Sequence, residues 1–357
     1  MQIFATEFLT TVLLFIVVLS FIVFIHELGH FLPARYFGIK VDTFSIGFGK
    51  EVFGWTDSKG TRWKFSWIPM GGYVKFFGDA DAASTSVDKE ISKEDKLKCL
   101  HYRSIKERVI VSIGGPAANY LLAIVLFFVV FFFTGQPEVS SKIDGFSENS
   151  AAQTAGLIVG DEIKSINGNA VNSFTDVLET MGTLKSPDVN IEVDRSGTLH
   201  RYMFLAHSVK MGDSERYIMG VKAGRGAPYQ VSSSLTSAVE YPFQISWATL
   251  LALKRMIAQA SSEGLGGPIA MAKGIKTAAS MGFMVVIFYA ALISTSLGFF
   301  NLLPIPTLDG GHLMFYSIEA VRGKPVSEKV QEWAFTIGLA ALLLLTLFVT
   351  YKDVFFK

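Results

Sequence analysis

The 357-residue chain has a single cysteine, Cys99, which excludes an internal disulfide and a cysteine-only zinc site. It is also short of charge. Asp, Glu, Lys and Arg make up 18% of the residues, against about 25% in soluble proteins. The net charge is +1 and no block of Lys and Arg stands out, so nothing points to a nucleic-acid partner. No Lys or Arg precedes the first apolar run, and no small-residue cleavage site precedes His26. That pattern argues against a cleaved signal peptide and for a retained spanning helix. What is abundant is apolar: half of the chain is hydrophobic, 31 residues are Phe, and the mean hydropathy is +0.39. The class this predicts is a polytopic membrane protein.

His26-Glu27-Leu28-Gly29-His30 closes the first apolar run. Residues four apart share a helix face, so His26 and His30 can hold one metal ion between them. Glu27 sits beside the first ligand, placed to act on water there, and H-E-x-x-H is a zinc-peptidase signature. From Phe4 to Ile25 the only polar side chains are Glu7, three threonines and Ser20. Such a site would lie inside a membrane, where ionisable groups are functional by default.

Four spans are expected, at about Phe4 to Phe31, Val109 to Phe133, Met281 to Leu303 and Trp333 to Val349. Lys and Arg collect between the first two spans and, as Arg322, Lys324 and Lys329, between the last two. The positive-inside rule makes those segments cytoplasmic and the N- and C-termini external. Thr61 to Lys75 alternates aromatic and β-branched residues with polar ones among glycines, which is hairpin chemistry. The hairpin is either a small cytoplasmic ribbon or a re-entrant sheet beside the metal. Asp79 to Lys98 is charged, low in hydrophobicity and expected to be mobile.

Residues 136–226 form the water-exposed mass. Ser150 to Gly168 reads as a short helix, a glycine turn, a strand and a second turn, followed by a helix at Ser173 to Met181 and strands near Val189 to Val193 and Leu199 to Leu205. The A-G-L-x-x-G-D-x-I-x-x-I-N-G form of this stretch resembles the PDZ domains of bacterial proteases. The resemblance implies capture of extended peptide segments at a sheet edge, with a bare spacer as the alternative. Residues 227–280 are expected as amphipathic linker helices on the periplasmic side, broken at Gly264 to Pro268. Residues 1–135 and 281–357 make the two membrane parts.

Two histidines leave a catalytic zinc one protein ligand short. His312 is one candidate. Asp309 is the better one, because Pro304 and Pro306 break the end of the third span and both spans run outside to inside. Taken alone, Asp309-Gly310-Gly311 is ordinary turn chemistry. Asn119 and Asn301 suit either hydrogen bonds to a substrate or intermediate, or helix-to-helix packing. A metal transporter and a catalytically silent scaffold holding peptides through the PDZ-like domain are the rival classes.

Taken together, H-E-x-x-H, Gly114-Gly115-Pro116-Ala117-Ala118-Asn119, Gly267-Pro268-Ile269 and Asn301 through Gly311 resemble the site-2 protease family of intramembrane zinc metalloproteases, closest to the bacterial regulator-of-sigma-E protease branch. The resemblance implies one Zn2+ per chain held by His26, His30 and Asp309, with Glu27 as catalytic base. It implies that Tyr73 and Val74 belong to a membrane-dipping β-element that presents substrate. It further implies single-span membrane substrates such as anti-sigma factors or remnant signal peptides, and residence in the bacterial inner membrane. The best-known members of the branch carry two PDZ domains, whereas this chain has room for one. The fold class expected is thus a polytopic α-helical membrane protein of about four transmembrane helices, with a membrane-associated β-hairpin and one inserted extracytoplasmic PDZ-like α+β domain.

Overall fold

The structure is a computed structural model and describes residues 2–79, 92, 95–135, 141–211, 214–223, 229–259 and 266–355. The expected mobile stretch falls mostly outside the described residues, as do Gly264 and Leu265 of the expected break. The chain divides into two compact units, residues 1–127 with 238–354 and residues 128–237 with 355–357.

The first unit holds four helices long and apolar enough to cross a membrane. These are α1 (Gln2–Tyr36), α2 (Ile105–Thr134), α7 (Phe283–Asn301) and α9 (Glu328–Phe355). Their most apolar windows have mean hydropathies of 2.1 to 2.7. α1 and α2 cross where both have glycine. A Cβ at Gly29 would lie 2.2 Å from the carbonyl oxygen of Gly114, and one at Gly114 would lie 2.0 Å from that of Gly29. Only the bare backbones can approach this closely.

β1 (Val41–Thr56) and β2 (Arg62–Phe76) pair antiparallel, and they do so twice. Residues 43–46 of β1 meet both 62–65 and 72–75 of β2, while 53–56 also meet 62–65. The two long strands therefore fold into four short segments, with 72–76 along one edge. Phe31, Phe44, Val74, Phe76, Leu100 and Val111 bury the sheet against the ends of α1 and α2. The hairpin turn is tied by Asp57, which accepts from the backbone of Lys59 and Thr61 and from Trp63 Nε1, and pairs with Arg35.

α5 (Val231–Gln259), α6 (Pro268–Met281) and α8 (Asp309–Arg322) complete the helices of the first unit. From Ala238 onward α5 lies along α2 and α7. Tyr241 meets the rings of Phe127 and Phe288, and Ser246 Oγ lies 2.6 Å from the Tyr120 hydroxyl. α6 packs on α1 and α7 through Ile275, Ile22 and Ile293. Its first turn is capped from α9: the backbone N–H groups of Gly267 and Ala270 both donate to Asp353 Oδ2 at 3.0 Å. No local signal in the sequence points to this tie between Gly267-Pro268 and the last helix.

The second unit contains β3 (Ile143–Phe146), α3 (Ala151–Thr154), β4 (Glu162–Ile166), β5 (Asn169–Ala170), α4 (Phe174–Gly182), β6 (Asp188–Arg195), β7 (Thr198–Leu205), β8 (His207–Met211), β9 (Ser214–Ile218) and β10 (Val221–Ala223). β5-β4-β6-β7 form an antiparallel sheet, while β3 pairs with β10 and β8 with β9. Ser173 and Asp176 close a capping box at α4, so that helix starts where the sequence places it. Ile163, Ile166, Ile191, Val193, Leu157 and Val177 make its core.

Asp161 is inaccessible in this core and forks onto Arg195 at 2.7 and 2.8 Å. Burial pushes its carboxyl upward, but the guanidinium and the Ile158 N–H outweigh burial and hold it below the ordinary range. As pH falls, the unfolded chain takes up the proton first. The stabilisation is complete above the unfolded value of about 3.9 and is lost as pH drops through the lower folded value. We predict that Asp161→Asn speeds amide exchange in β4 and β6 roughly tenfold at pH 7, the scale of one lost charge-assisted hydrogen bond. It should also remove the acid-induced loss of protection below about pH 4. Wild-type protection at both pH values in the variant would refute this.

Candidate metal centre

His26 and His30 lie one turn apart on α1, near its C-terminal end. Asp309 is the first residue of α8 and follows an irregular segment in which Leu308 N bonds Ile305 O and Ile305 N bonds Leu303 O. Pro304 and Pro306 prevent the helix from continuing there. Gly310 and Gly311 then let α8 begin tight against the segment just passed: a Cβ at either would lie 2.2 or 2.4 Å from a carbonyl oxygen of Leu303 or Ile305. Asp309 is thereby carried into the face of α1.

The three side chains converge. His26 Nε2 lies 3.3 Å from Asp309 Oδ2, His30 Nε2 lies 3.4 Å from Oδ1, and the two Nε2 atoms are 3.3 Å apart. Tetrahedral zinc with ligand bonds of about 2.0–2.1 Å separates its donors by about 3.3–3.4 Å. The spacing therefore suits a single ion. Two further observations test the fit. Asp309 Oδ2 is buried without a hydrogen-bond partner, an acceptor left over in the interior. His30 Nδ1 lies 2.8 Å from the Val111 carbonyl oxygen, so it carries the proton, and the lone pair of Nε2 faces the cluster. Among the described residues, this is the one group of three such side chains close enough to share an ion.

Glu27 is buried and opens on the same cavity of about 410 Å³ as the three donors. Tyr73 and Val74 line that cavity from the 72–76 edge, as do His312 and Asn301. Asn301 donates to the Leu297 carbonyl of its own helix at 3.0 Å. Asn119 is fully buried and is not among the cavity-lining residues; its amide nitrogen lies 3.0 Å from His26 Nδ1, on the far side of the ring. His312 lies in the cavity wall, one helical turn beyond Asp309.

Residues without reactive groups shape the site as much as those with them. A Cβ at Gly115 would lie 2.2 Å from His30 Nε2 and 2.9 Å from His26 Cε1. A Cβ at Gly72 would lie 3.0 Å from Glu27 Cγ and 2.7 Å from the Ser45 carbonyl oxygen. The only sequence signal for the first was a pair of glycines in an otherwise apolar helix. For the second there was none beyond hairpin punctuation. We predict that Gly115→Ala weakens metal binding roughly 10–100-fold, the range seen when a ligand's support is disturbed. Chelator competition on the purified protein measures it, and an unchanged affinity would contradict the packing described here.

The comparisons with known proteins concern the chain as a whole. The family model described as Peptidase family M50 matches residues 14–345. A protein of Agrobacterium fabrum provisionally named a zinc metalloprotease is 38% identical, with 98% of this chain and 97% of that one covered. A similarly named protein of Rhizobium meliloti is 36% identical over 96% of each. Metalloprotease MmpA of Caulobacter vibrioides is 30% identical over 97% of this chain and 96% of its own. With four apolar helices around a two-histidine, one-carboxylate cluster, the chain belongs to peptidase family M50, the site-2 protease family.

Proposed function

We propose that the protein is an intramembrane zinc metalloendopeptidase that cuts single-span membrane proteins within or next to their spanning segment. The observation that carries this reading is the triangle of His26, His30 and Asp309 donors with Glu27 opening on the same cavity. When bound, zinc supplies a Lewis acid, which brings the pKa of water to about 7 and polarises a carbonyl. The remaining work falls to the chain. Glu27 accepts a proton from the attacking water on a carboxylate oxygen. As the C–N bond breaks, it returns that proton to the departing amine. Burial around Glu27 keeps bulk water from competing for the proton.

A substrate helix shields its peptide bonds, so it must unwind into an extended strand before it is cut. The 72–76 edge lines the cavity, and among the described residues its only strand partner is β1. An unwound segment added there would gain backbone hydrogen bonds beside Glu27. Tyr73 and Val74 are then the residues that present it. The second unit is read as a PDZ-like domain on the periplasmic side that captures peptide segments, with the enzyme in the bacterial inner membrane and both termini external. Anti-sigma factors and remnant signal peptides are the substrate classes in view.

Glu27→Gln should keep zinc and lower cleavage of a single-span test substrate at least about 100-fold, whereas His26→Ala should lose the metal. Full cleavage by either variant would end this reading. Strand presentation carries its own expectation: substrates with Gly or Pro in the span are cut faster than one with a polyleucine span. Equal rates for the two would remove the unwinding step.

A further inference from the structure

Asn119 has no place in the reaction as derived, yet it is one of the most enclosed polar side chains in the protein, with no accessible surface. It is held by its neighbours. Ser294 Oγ donates to its backbone carbonyl at 2.9 Å, and a Cβ at Gly298 on the same helix would lie 3.0 Å from the adjoining Tyr120 ring. Its side chain reaches α1 and stops 3.0 Å from His26 Nδ1. Its Oδ1 is buried with no hydrogen-bond partner. A buried amide that leaves its stronger acceptor idle calls for a reason.

The reason lies in the other nitrogen of the ring. His26 Nε2 faces Asp309 and His30, so a metal there takes the Nε2 lone pair. A neutral imidazole carries one proton, which must then sit on Nδ1. Nδ1 becomes a donor and needs an acceptor opposite it. The amide nitrogen cannot accept, but Oδ1 can, and a half-turn of the amide exchanges the two. The neighbouring ligand shows the same arrangement already made: His30 Nδ1 is opposite the Val111 carbonyl. α2 therefore backs both histidines, one through its main chain and the other through a side chain two turns on.

We propose that Asn119 is the positioning residue for His26, its Oδ1 accepting from Nδ1–H in the metal-bound protein and so fixing the tautomer that binds metal. The role reaches the reaction only through His26 and rests on the zinc-protease reading. It also differs from a substrate contact, which would affect cleavage and leave zinc affinity alone, and from simple helix packing, which an apolar isostere would satisfy.

The test is zinc affinity of the full chain in detergent, measured by chelator competition, for Asn119→Leu and Asn119→Asp. Leucine keeps the volume and removes the acceptor. We expect affinity to fall 10–100-fold, with cleavage recovering as zinc is raised. Aspartate keeps the acceptor and removes the donor. We expect its affinity to equal or exceed that of wild type. Wild-type affinity in Asn119→Leu, or an equal loss in both variants, would overturn the proposal. A wild-type chain that binds zinc, and whose Glu27→Gln form binds zinc without cleaving, leaves the protease reading standing even then. A wild-type chain that takes up no zinc defeats both.

Discussion

The contact on which the site depends is the crossing of α1 and α2 at Gly29 and Gly114, where each backbone presses on the other's carbonyl. It sets how near α2 lies to the histidine face of α1. At that spacing the Val111 carbonyl reaches His30 Nδ1, Asn119 reaches His26, and the absent side chain of Gly115 leaves room for both rings. A methyl group at either crossing glycine would part the helices by more than a hydrogen bond can stretch. Two imidazoles and a carboxylate facing one another in an apolar interior are costly unless something neutralises and binds them. The proposed zinc would account both for their being together and for the unpartnered Asp309 Oδ2.

The proposed function sets a second problem, which is how a hydrolytic centre within a bilayer would stay wet. On α8, Asp309, His312, Tyr316 and Glu319 recur at helical spacing and share one face. On α2, Arg108 and Ser112 answer them. Arg108 forks onto Glu319 at 2.9 and 2.6 Å and lies 4.8 Å from the centre of the Tyr316 ring. Ser112, His312 and Tyr316 line the cavity. The polar groups thus run from the start of α2 to the donors, anchored at one end by the Arg108–Glu319 pair. Polar side chains at membrane depth are tolerated on just those terms.

Much of this is legible in the sequence, for identifiable reasons. That His26 and His30 share a face follows from helical period alone, and two prolines before Asp309 announce the irregular backbone that delivers it. Long apolar runs and a capping box are local signals, so the spans and α4 fall close to where they are expected. Contacts between distant segments are not legible. Asn119 and His26 are 93 residues apart, and a sequence cannot say which side of a ring an asparagine faces. The double pairing of β1 with β2 is set by which residues bury against α1 and Val111, not by alternation. α5 reads as an amphipathic surface helix because several of its most buried positions, Ser234, Ala238 and Ser246, are small residues that carry little hydrophobic signal.

The strand edge at 72–76 joins these points. A free edge is a liability in any protein and more so where water is scarce, because its N–H and C=O groups have no solvent to satisfy them. Here the edge opens on the one cavity that the polar face of α8 also reaches, so it is exposed where polar groups are supported. Gly72 is the residue that allows it. With any side chain, the strand would be pushed off both Ser45 and Glu27. The edge and the buried carboxylate are therefore held in a fixed relation by contact rather than by a flexible loop. A strand that pairs with the edge is brought to Glu27 and the donor triangle by the register of the sheet itself. Under the proposed function, backbone pairing reads no side chains, so selection among substrates would fall to how readily a segment unwinds.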